Sequence, residues 1–382
     1  MNSNSKNKIF NFKKLEIKGA LARKMLHTFT CENKTIIVIA ILLFLINQLI
    51  ELLIVFNLNE NYHNLCKWDC GWYGSIVVDG YHIEPNAHEK MDAANWAFFP
   101  FFPLAAKFLG HVIGISAPWA LILTSKIFFL LAIFGFIKMA KAYSPSISSI
   151  IAGSVVAFNP YAIYGNVGYT ESSFLFFSAL FFYALKKEKY MAAGIVGAVL
   201  SSVRLAGLFA LVSYVISVFL NYQKKNLNLR LLILSCLLIP LGLAIFIAYL
   251  YWLTGDGLAF SHIQRAWGRS PSNPLNHIMQ GLQGDWLSKY YALISVFAFI
   301  ATLALAYKRE YALAVFSLLG VVIPLSTGLV SIPRYIFWQA PLLFMAAHVL
   351  SNKIIFSIVL PFLIVAQVIL YRGWLLGGGW VI

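Results

Sequence analysis

Charge is scarce in this sequence. Only 11 % of its 382 residues are Asp, Glu, Lys or Arg, where a soluble globular chain carries about 25 %. An ordinary soluble domain is therefore excluded. Acids are scarcer still, 14 against 29 Lys and Arg, and no metal-binding DxD pair is among them. Cysteine is rare, and nothing resembles a four-ligand zinc site. Cys31 and Cys236 stand alone. Cys66 and Cys70 are one helical turn apart, so a disulfide is open to them, with two free thiols the plainer reading. Low-complexity tracts are missing beyond the polar first five residues. Internal repeats are missing too, and so are the paired, glycine-interrupted half-helices of a secondary transporter. The alternating pattern of a membrane β-barrel is absent. No cleavable signal peptide is expected, because the first 34 residues are basic and mostly polar, with no small-residue cleavage site behind an apolar core.

What is present is apolar: 60 % of the chain is hydrophobic, in runs that reach the roughly 20 residues a bilayer-spanning helix needs. The expected fold class is an all-α polytopic membrane protein. Candidate spans fall at about 35–57, 118–140, 147–165, 170–186, 191–220, 229–253, 290–307, 310–331, 335–350 and 354–372. Stretch 191–220 is flanked by lysines on both sides and carries Arg204 near its middle, so it reads as a hairpin turning there. Segment 96–117 is interrupted by Pro100 and Pro103 and reads as re-entrant or as a broken interfacial hairpin.

The formal charge of +15 is distributed as loops, not as a recognition stripe, and no nucleic-acid partner is expected. With that topology the inside segments hold 19 Lys and Arg against four acids, and the outside segments nine of each. This is the positive-inside pattern. It predicts a basic cytoplasmic segment over 1–34, resting near anionic headgroups, and one membrane domain over 35–382 with extracytoplasmic loops 58–95 and 254–289. The polar and aromatic segments collect on the outer face, where chemistry is expected.

Several constellations lie there. On a helix, Asp69, Trp72, Tyr73 and Ile76 share a face, which sets a carboxylate beside aromatic rings; a solvated acid on an interfacial helix is the plainer alternative. Asp79 lies about 80° off that face at 100° per residue. In "TGDGLAFSHIQRAWGRS", a helix would put His262, Arg265 and Arg269 on one stripe and Gln264 and Trp267 on the next. Two guanidiniums on a stripe can clamp a phosphate, or simply meet lipid headgroups. Arg204 interrupts an apolar run, which marks a functional candidate, unless it sits at an interfacial hairpin tip. Glu171 reads as an acid favoured by a helix N-terminus. Arg334 is an outer-face anchor or a phosphate ligand. Lys126 falls inside a predicted span and needs a partner or a cavity.

Taken in order, these elements resemble the PIG-V-like mannosyltransferases. "KWDCGWYGSIVVDGY" is similar to the family's RWD-x-x-W/H-Y-x-x-I-A-x-x-G-Y element. It is followed by "AFFPFFPL", "NPYAIYGNVGYTESSF", "SSVRLAGL", "GDGLAFSHIQRAWGR" and "PRY" in the family's order, over about residues 40–340. Lys67 replaces the family's frequent Arg, Cys70 and Gly71 fill its variable positions, and Leu205-Ala206 replaces its Ser-Asn, which leaves acceptor specificity open.

The resemblance implies a GT-C-type glycosyltransferase fold with about 10–12 transmembrane or re-entrant helices and inverting transfer of a hexose, mannose by the family's name. The donor would be a polyprenyl- or dolichyl-phosphate sugar and the acceptor a glycolipid, glycan or protein. Asp69 would be the catalytic base. Arg204, Arg265, Arg269, Arg334 and His262 would surround the donor phosphate, and Trp68, Trp72, Tyr73, Glu171, Gln264 and Trp267 the sugar and acceptor. No cofactor is called for, and a divalent metal is not indicated. A transporter or flippase of lipid-linked sugars, using the same basic groove without chemistry, is the alternative; a structural membrane subunit is the third.

Overall fold

A computed structural model of the protein describes residues 32–85, 92–222 and 227–381. The basic N-terminal segment up to Cys31, part of the 58–95 loop, and Lys224 and Lys225 lie outside the described residues. Among those described, every regular element is helical. The first helix, α1, runs Glu32–Asn57. It is followed by α2 (Asp69–Val78), α3 (Phe101–Ile113), α4 (Ala117–Tyr143), α5 (Ser149–Ala157), α6 (Glu171–Lys186), α7 (Tyr190–Val203) and α8 (Phe209–Tyr222). Then come α9 (Leu229–Leu238), α10 (Leu241–Thr254), α11 (Ala259–His262), α12 (Pro274–Gln283), α13 (Trp286–Tyr307) and α14 (Tyr311–Leu325). The chain closes with α15 (Ile332–Ile336), α16 (Ala340–Val349) and α17 (Lys353–Leu375).

Five stretches are long and apolar enough to cross a bilayer: α1, α4, α8 with its leading turn from Leu205, α13 and α17. Helices α9 and α10, bent by 42° across a short break, make a sixth if taken as one. Shorter apolar helices, α3, α7, α14 and α16, fill the bundle between them. The chain is a multi-pass integral membrane protein. Helix α4 is its centre: 67 % of its most apolar stretch is buried, against 28 % for α1 and 17 % for α17. The peripheral helices turn Leu42, Leu45, Leu49, Ile358 and Phe362 outward, as lipid-facing surfaces do.

Two expected spans, 147–165 and 335–350, differ from the observed helices, each for a local reason, and segment 96–117 forms one short helix. The run 147–165 is helical only as α5, because Pro160 cannot continue the helix and the Asn159 amide donates back to the Val156 carbonyl at 3.0 Å. The run 335–350 is split into α15 and α16, the second starting with Pro341 in its first turn, where the missing N–H is tolerated. Segment 96–117 contains α3, whose 13 residues extend about 20 Å. It starts after Pro100 and exposes Leu104, Phe108 and Val112 while burying Phe102, Ala106 and Gly110. The predicted turn at Arg204 is present: that residue is extended between α7 and a 3-10 turn at Leu205–Leu208.

Lys126, on α4, finds its partner in Glu51 of α1. The Glu51 carboxylate is fully buried and lies 2.6 Å from the Lys126 ammonium. Tyr371 of α17 donates to its other oxygen at 3.1 Å, Tyr62 donates to the first, and Gln48 accepts from Lys126. Asn166 extends the network by donating to Tyr371 at 2.6 Å and to Asn47 at 3.0 Å. Three helices are thereby fastened through a pair whose charges cancel.

Removing one member leaves the other as an uncompensated buried charge, which costs about 3–5 kcal/mol. Glu51→Gln or Lys126→Met alone should therefore destabilise by that order, while the double variant should be less destabilised than the sum. Thermal unfolding in detergent measures this; strict additivity would show that the two charges are not coupled.

Candidate active site

The site begins at the start of α2. Contrary to the plainer reading of free thiols, Cys66 and Cys70 form a disulfide, which closes a loop containing Trp68 and Asp69. Trp68 adopts a left-handed backbone, φ +51°, an uncommon conformation for a bulky residue. Its ring stands edge-on to Trp374 at 4.4 Å, which makes it a prop for the loop. The Asp69 N–H donates to the Tyr169 hydroxyl at 3.0 Å, and that hydroxyl donates to the Lys67 carbonyl at 3.2 Å. The facing turn, 166–170, is pinned to α4 by the Ser125 hydroxyl, which accepts from the N–H groups of Gly168 and Tyr169. Gly168 has φ +81°, and a Cβ there would lie 2.5 Å from the Cys70 sulfur. Only glycine lets this turn approach the disulfide.

Around Asp69 the structure gathers charges from distant parts of the chain. Arg334 of α15 donates from Nη1 to Asp69 Oδ2 at 2.9 Å. Its Nε makes a charge contact of 2.6 Å with Glu171 Oε1, without the alignment of a hydrogen bond. Arg204 Nη2 donates to the same Glu171 oxygen at 2.9 Å. Glu171, the first residue of α6, is fully buried. It is more than an acid at a helix N-terminus: it is the shared counter-ion of two arginines. The Arg334 guanidinium also packs on the rings of Tyr169, Tyr164 and Tyr335, 5.0–5.3 Å from their centres, and Arg204 lies 5.3 Å from that of Tyr335.

Arg269 completes the group, donating to Gln264 Oε1 at 3.2 Å and to the Tyr335 hydroxyl at 3.3 Å. Three guanidiniums thus face two carboxylates, Asp69 and Glu171, an excess of one positive charge.

These groups open onto a cavity of about 430 Å³. Its lining includes polar residues, Asp69, Tyr73, Arg204, Gln264, Arg269, Arg334 and Tyr335, with Trp267 and Phe98. It also includes apolar ones, Phe174, Val203, Phe209, Phe316, Ile323 and Val330. Trp72 stands behind the wall, on Phe98 at 5.9 Å and Trp267 at 5.7 Å.

Two expected phosphate ligands lie elsewhere. His262 is exposed and bonds Asp256 at 2.7 Å, and Arg265 is exposed outside the cavity wall. The single stripe with Arg269 does not form. Helix α11 ends at His262, the chain tightens into a 3-10 turn over Ile263–Trp267, and Gly268 at φ +66° then redirects it. Tyr335 and Gln339 stand in the wall without having been expected from sequence; adjacency to Arg334 was the available signal for the first. Among the described residues no three His, Cys, Asp or Glu side chains group as a metal site. The acids nearest the cavity, Asp69 and Glu171, are each engaged by arginine.

A crystal structure of the Archaeoglobus fulgidus oligosaccharyltransferase, in complex with Zn and sulfate, superposes with a TM-score of 0.51 at 13 % identity, covering 87 % of this chain and 53 % of that one. The fold is that of the GT-C glycosyltransferases. A second structure of that enzyme, AglB with an inhibitory peptide and a dolichol-phosphate, superposes at 0.49 and 11 % identity, covering 90 % and 55 %. The chain spans about half the length of these GT-C neighbours, and at such identities the likeness is one of fold alone. No protein-family model and no curated protein matches the chain.

Proposed function

We propose that the protein is an inverting glycosyltransferase that moves a hexose from a polyprenyl- or dolichyl-phosphate donor to an acceptor hydroxyl at the extracytoplasmic face of a membrane. The observation that carries this reading is the mixed lining of the cavity. A cluster with one uncompensated positive charge and a set of apolar side chains line the same space, and Asp69 is among the lining residues. A lipid monophosphate bearing a sugar matches both kinds of lining. A GT-C fold raises the prior for glycosyl transfer without fixing the chemistry.

In this mechanism the acceptor oxygen attacks the anomeric carbon from the face opposite the phosphate. Asp69 takes the acceptor's proton as that bond forms. The bond from the anomeric carbon to the phosphate oxygen breaks, and the lipid phosphate leaves with the electron pair. Negative charge grows on the departing oxygens, and Arg204, Arg269 and Arg334 stabilise it from fixed positions in a poorly solvated site. The bond to Arg334 uses one Asp69 oxygen, which orients the carboxylate. Glu171 neutralises part of the charge of Arg204 and Arg334 and so limits how tightly the phosphate product is held. Trp267, Phe98 and Tyr73 offer ring faces and a hydroxyl to the sugar. Mannose is the hexose that the family resemblance favours, and a glycolipid, glycan or protein supplies the acceptor.

Two features support this orientation. Glu171 and Lys186 are at opposite ends of the 16-residue α6, about 24 Å apart. Lys186 pairs with Glu310 at 2.8 Å, and Lys308 bonds His348 at 2.9 Å, so the basic loops gather away from the cavity. A disulfide beside the cavity suits a non-reducing compartment.

Asp69→Asn should lower transfer from dolichyl-phosphate mannose by about 10²–10⁴-fold while binding of the donor is kept. Arg269→Ala should weaken donor binding itself. Transfer by Asp69→Asn at the wild-type rate would remove Asp69 as the base. Movement of lipid-linked sugar across vesicles by wild type, without transfer, would instead favour a transporter or flippase.

A further inference from the structure

The residue before Asp69 has a backbone that side chains rarely adopt. Trp68 stands at φ +51°, ψ −113°, and the Cys70 N–H closes the turn onto the Lys67 carbonyl at 3.1 Å. A turn with those angles at its second residue is of type II′, and glycine usually fills that position. A tryptophan persists there only when the surrounding structure over-determines it. The turn has no such restraint of its own, since Trp68, the N-cap of α2, makes no side-chain capping bond.

The restraint comes from Tyr169, 100 positions along the chain. Its hydroxyl accepts from the Asp69 N–H at 3.0 Å and donates to the Lys67 carbonyl at 3.2 Å. Those two groups belong to the two peptide planes that flank Trp68. Turning either plane toward an ordinary conformation breaks one of the bonds. Tyr169 is itself held by the central helix α4: the Ser125 hydroxyl accepts from its N–H and donates to its carbonyl, each at 3.0 Å. The Tyr169 ring lies 5.0 Å from the guanidinium of Arg334, which in turn bonds Asp69 Oδ2. One side chain thus touches both groups that aim the carboxylate, the backbone that carries it and the cation that receives it.

We propose that Tyr169 is a positioning residue for the transfer reaction, setting the direction of the Asp69 carboxylate through the turn that bears it. The inference rests on the reading of Asp69 as the base. A base must lie within hydrogen-bond reach of the proton it takes, so its aim governs the rate. Tyr169 is 1 % exposed and is not among the residues lining the cavity. Its effect on substrate therefore passes through Asp69.

Tyr169→Phe tests this, because it keeps the ring on Arg334 and removes only the hydroxyl. Donor binding and transfer are measured with dolichyl-phosphate mannose, and rates are taken per donor-binding site, so that loss of folded protein cancels. The kcat should fall by about tenfold to a hundredfold, with the donor Kd kept. Added to Asp69→Asn, the same substitution should change the residual rate little, since the group it positions has lost its function. Tyr164→Phe is the comparison. Tyr164 is equally buried and its ring also packs on Arg334, but its hydroxyl donates to the Val381 carbonyl, so kcat should fall by less. An unchanged kcat in Tyr169→Phe overturns the inference alone. So does an equal fall with and without Asp69→Asn, or an equal fall in Tyr164→Phe, either of which would reduce Tyr169 to general packing. Weakened donor binding at an unchanged kcat also overturns it, by placing the effect at the phosphate. A wild type that transfers from neither dolichyl-phosphate mannose nor dolichyl-phosphate glucose sinks the glycosyltransferase reading, and the inference with it.

Discussion

A single buried carboxylate organises this molecule. Glu171 is out of contact with water, and an ionised carboxylate in such a place persists only when paired. Two guanidiniums pair with it, and their positions dictate much else. Arg204 reaches it because α7 stops there and the chain runs extended for one residue. Arg334 reaches it from a five-residue helix too short to be anything but a carrier for its side chains. Having met Glu171, Arg334 extends to Asp69 and fixes the start of α2. The N-terminal end of α6 thus positions the proposed base without touching it.

The chain holds a second buried ion pair, and the contrast between the two separates structure from function. Glu51 and Lys126 balance in charge, are surrounded by tyrosine and amide partners, and tie α1, α4 and α17 together. Nothing is left over there for a ligand. Around Glu171 the sum is uneven, three guanidiniums against two carboxylates, and the excess lies on a cavity wall. Placing unbalanced charge in a poorly solvated site is costly. It becomes favourable when an anion arrives. The uneven cluster is the one to read as chemistry.

Much of this was legible in the sequence because charge is so rare in it. In a chain with few acids and long apolar runs, Asp69, Arg204, Arg334 and Lys126 are conspicuous, and all four are engaged in ion pairs. What sequence could not supply was the pairing. Asp69 and Arg334 are 265 positions apart, and one sequence carries no signal that joins them. Helical periodicity also misled at His262 and Arg265, since it assumes a continuous helix where the chain tightens and turns at Gly268. The disulfide was permitted by spacing but not demanded by it. The structure shows it formed, with Gly168 packed against the Cys70 sulfur. Tyr335 went unremarked because an aromatic residue in a chain rich in them is not conspicuous; three arginines around it make it so.

The helix breaks are the part of the design that composition hides most completely. Irregular backbone at membrane depth is tolerated where it is buried in protein or lines a cavity. Three interruptions obey that rule at one place. The gap after Val203 delivers Arg204, Leu205 and Ala206 to the cavity; the stretch between α14 and α15 delivers Thr327 and Val330; and the link between α15 and α16 delivers Trp338 and Gln339. Pro324 belongs to the same logic, since it frees a carbonyl that recruits Gln339 to the wall. Read one at a time, these are a charged residue, a proline and a short helix, each a defect in a membrane span. Read together, each breaks its helix where side chains turn toward one shared cavity.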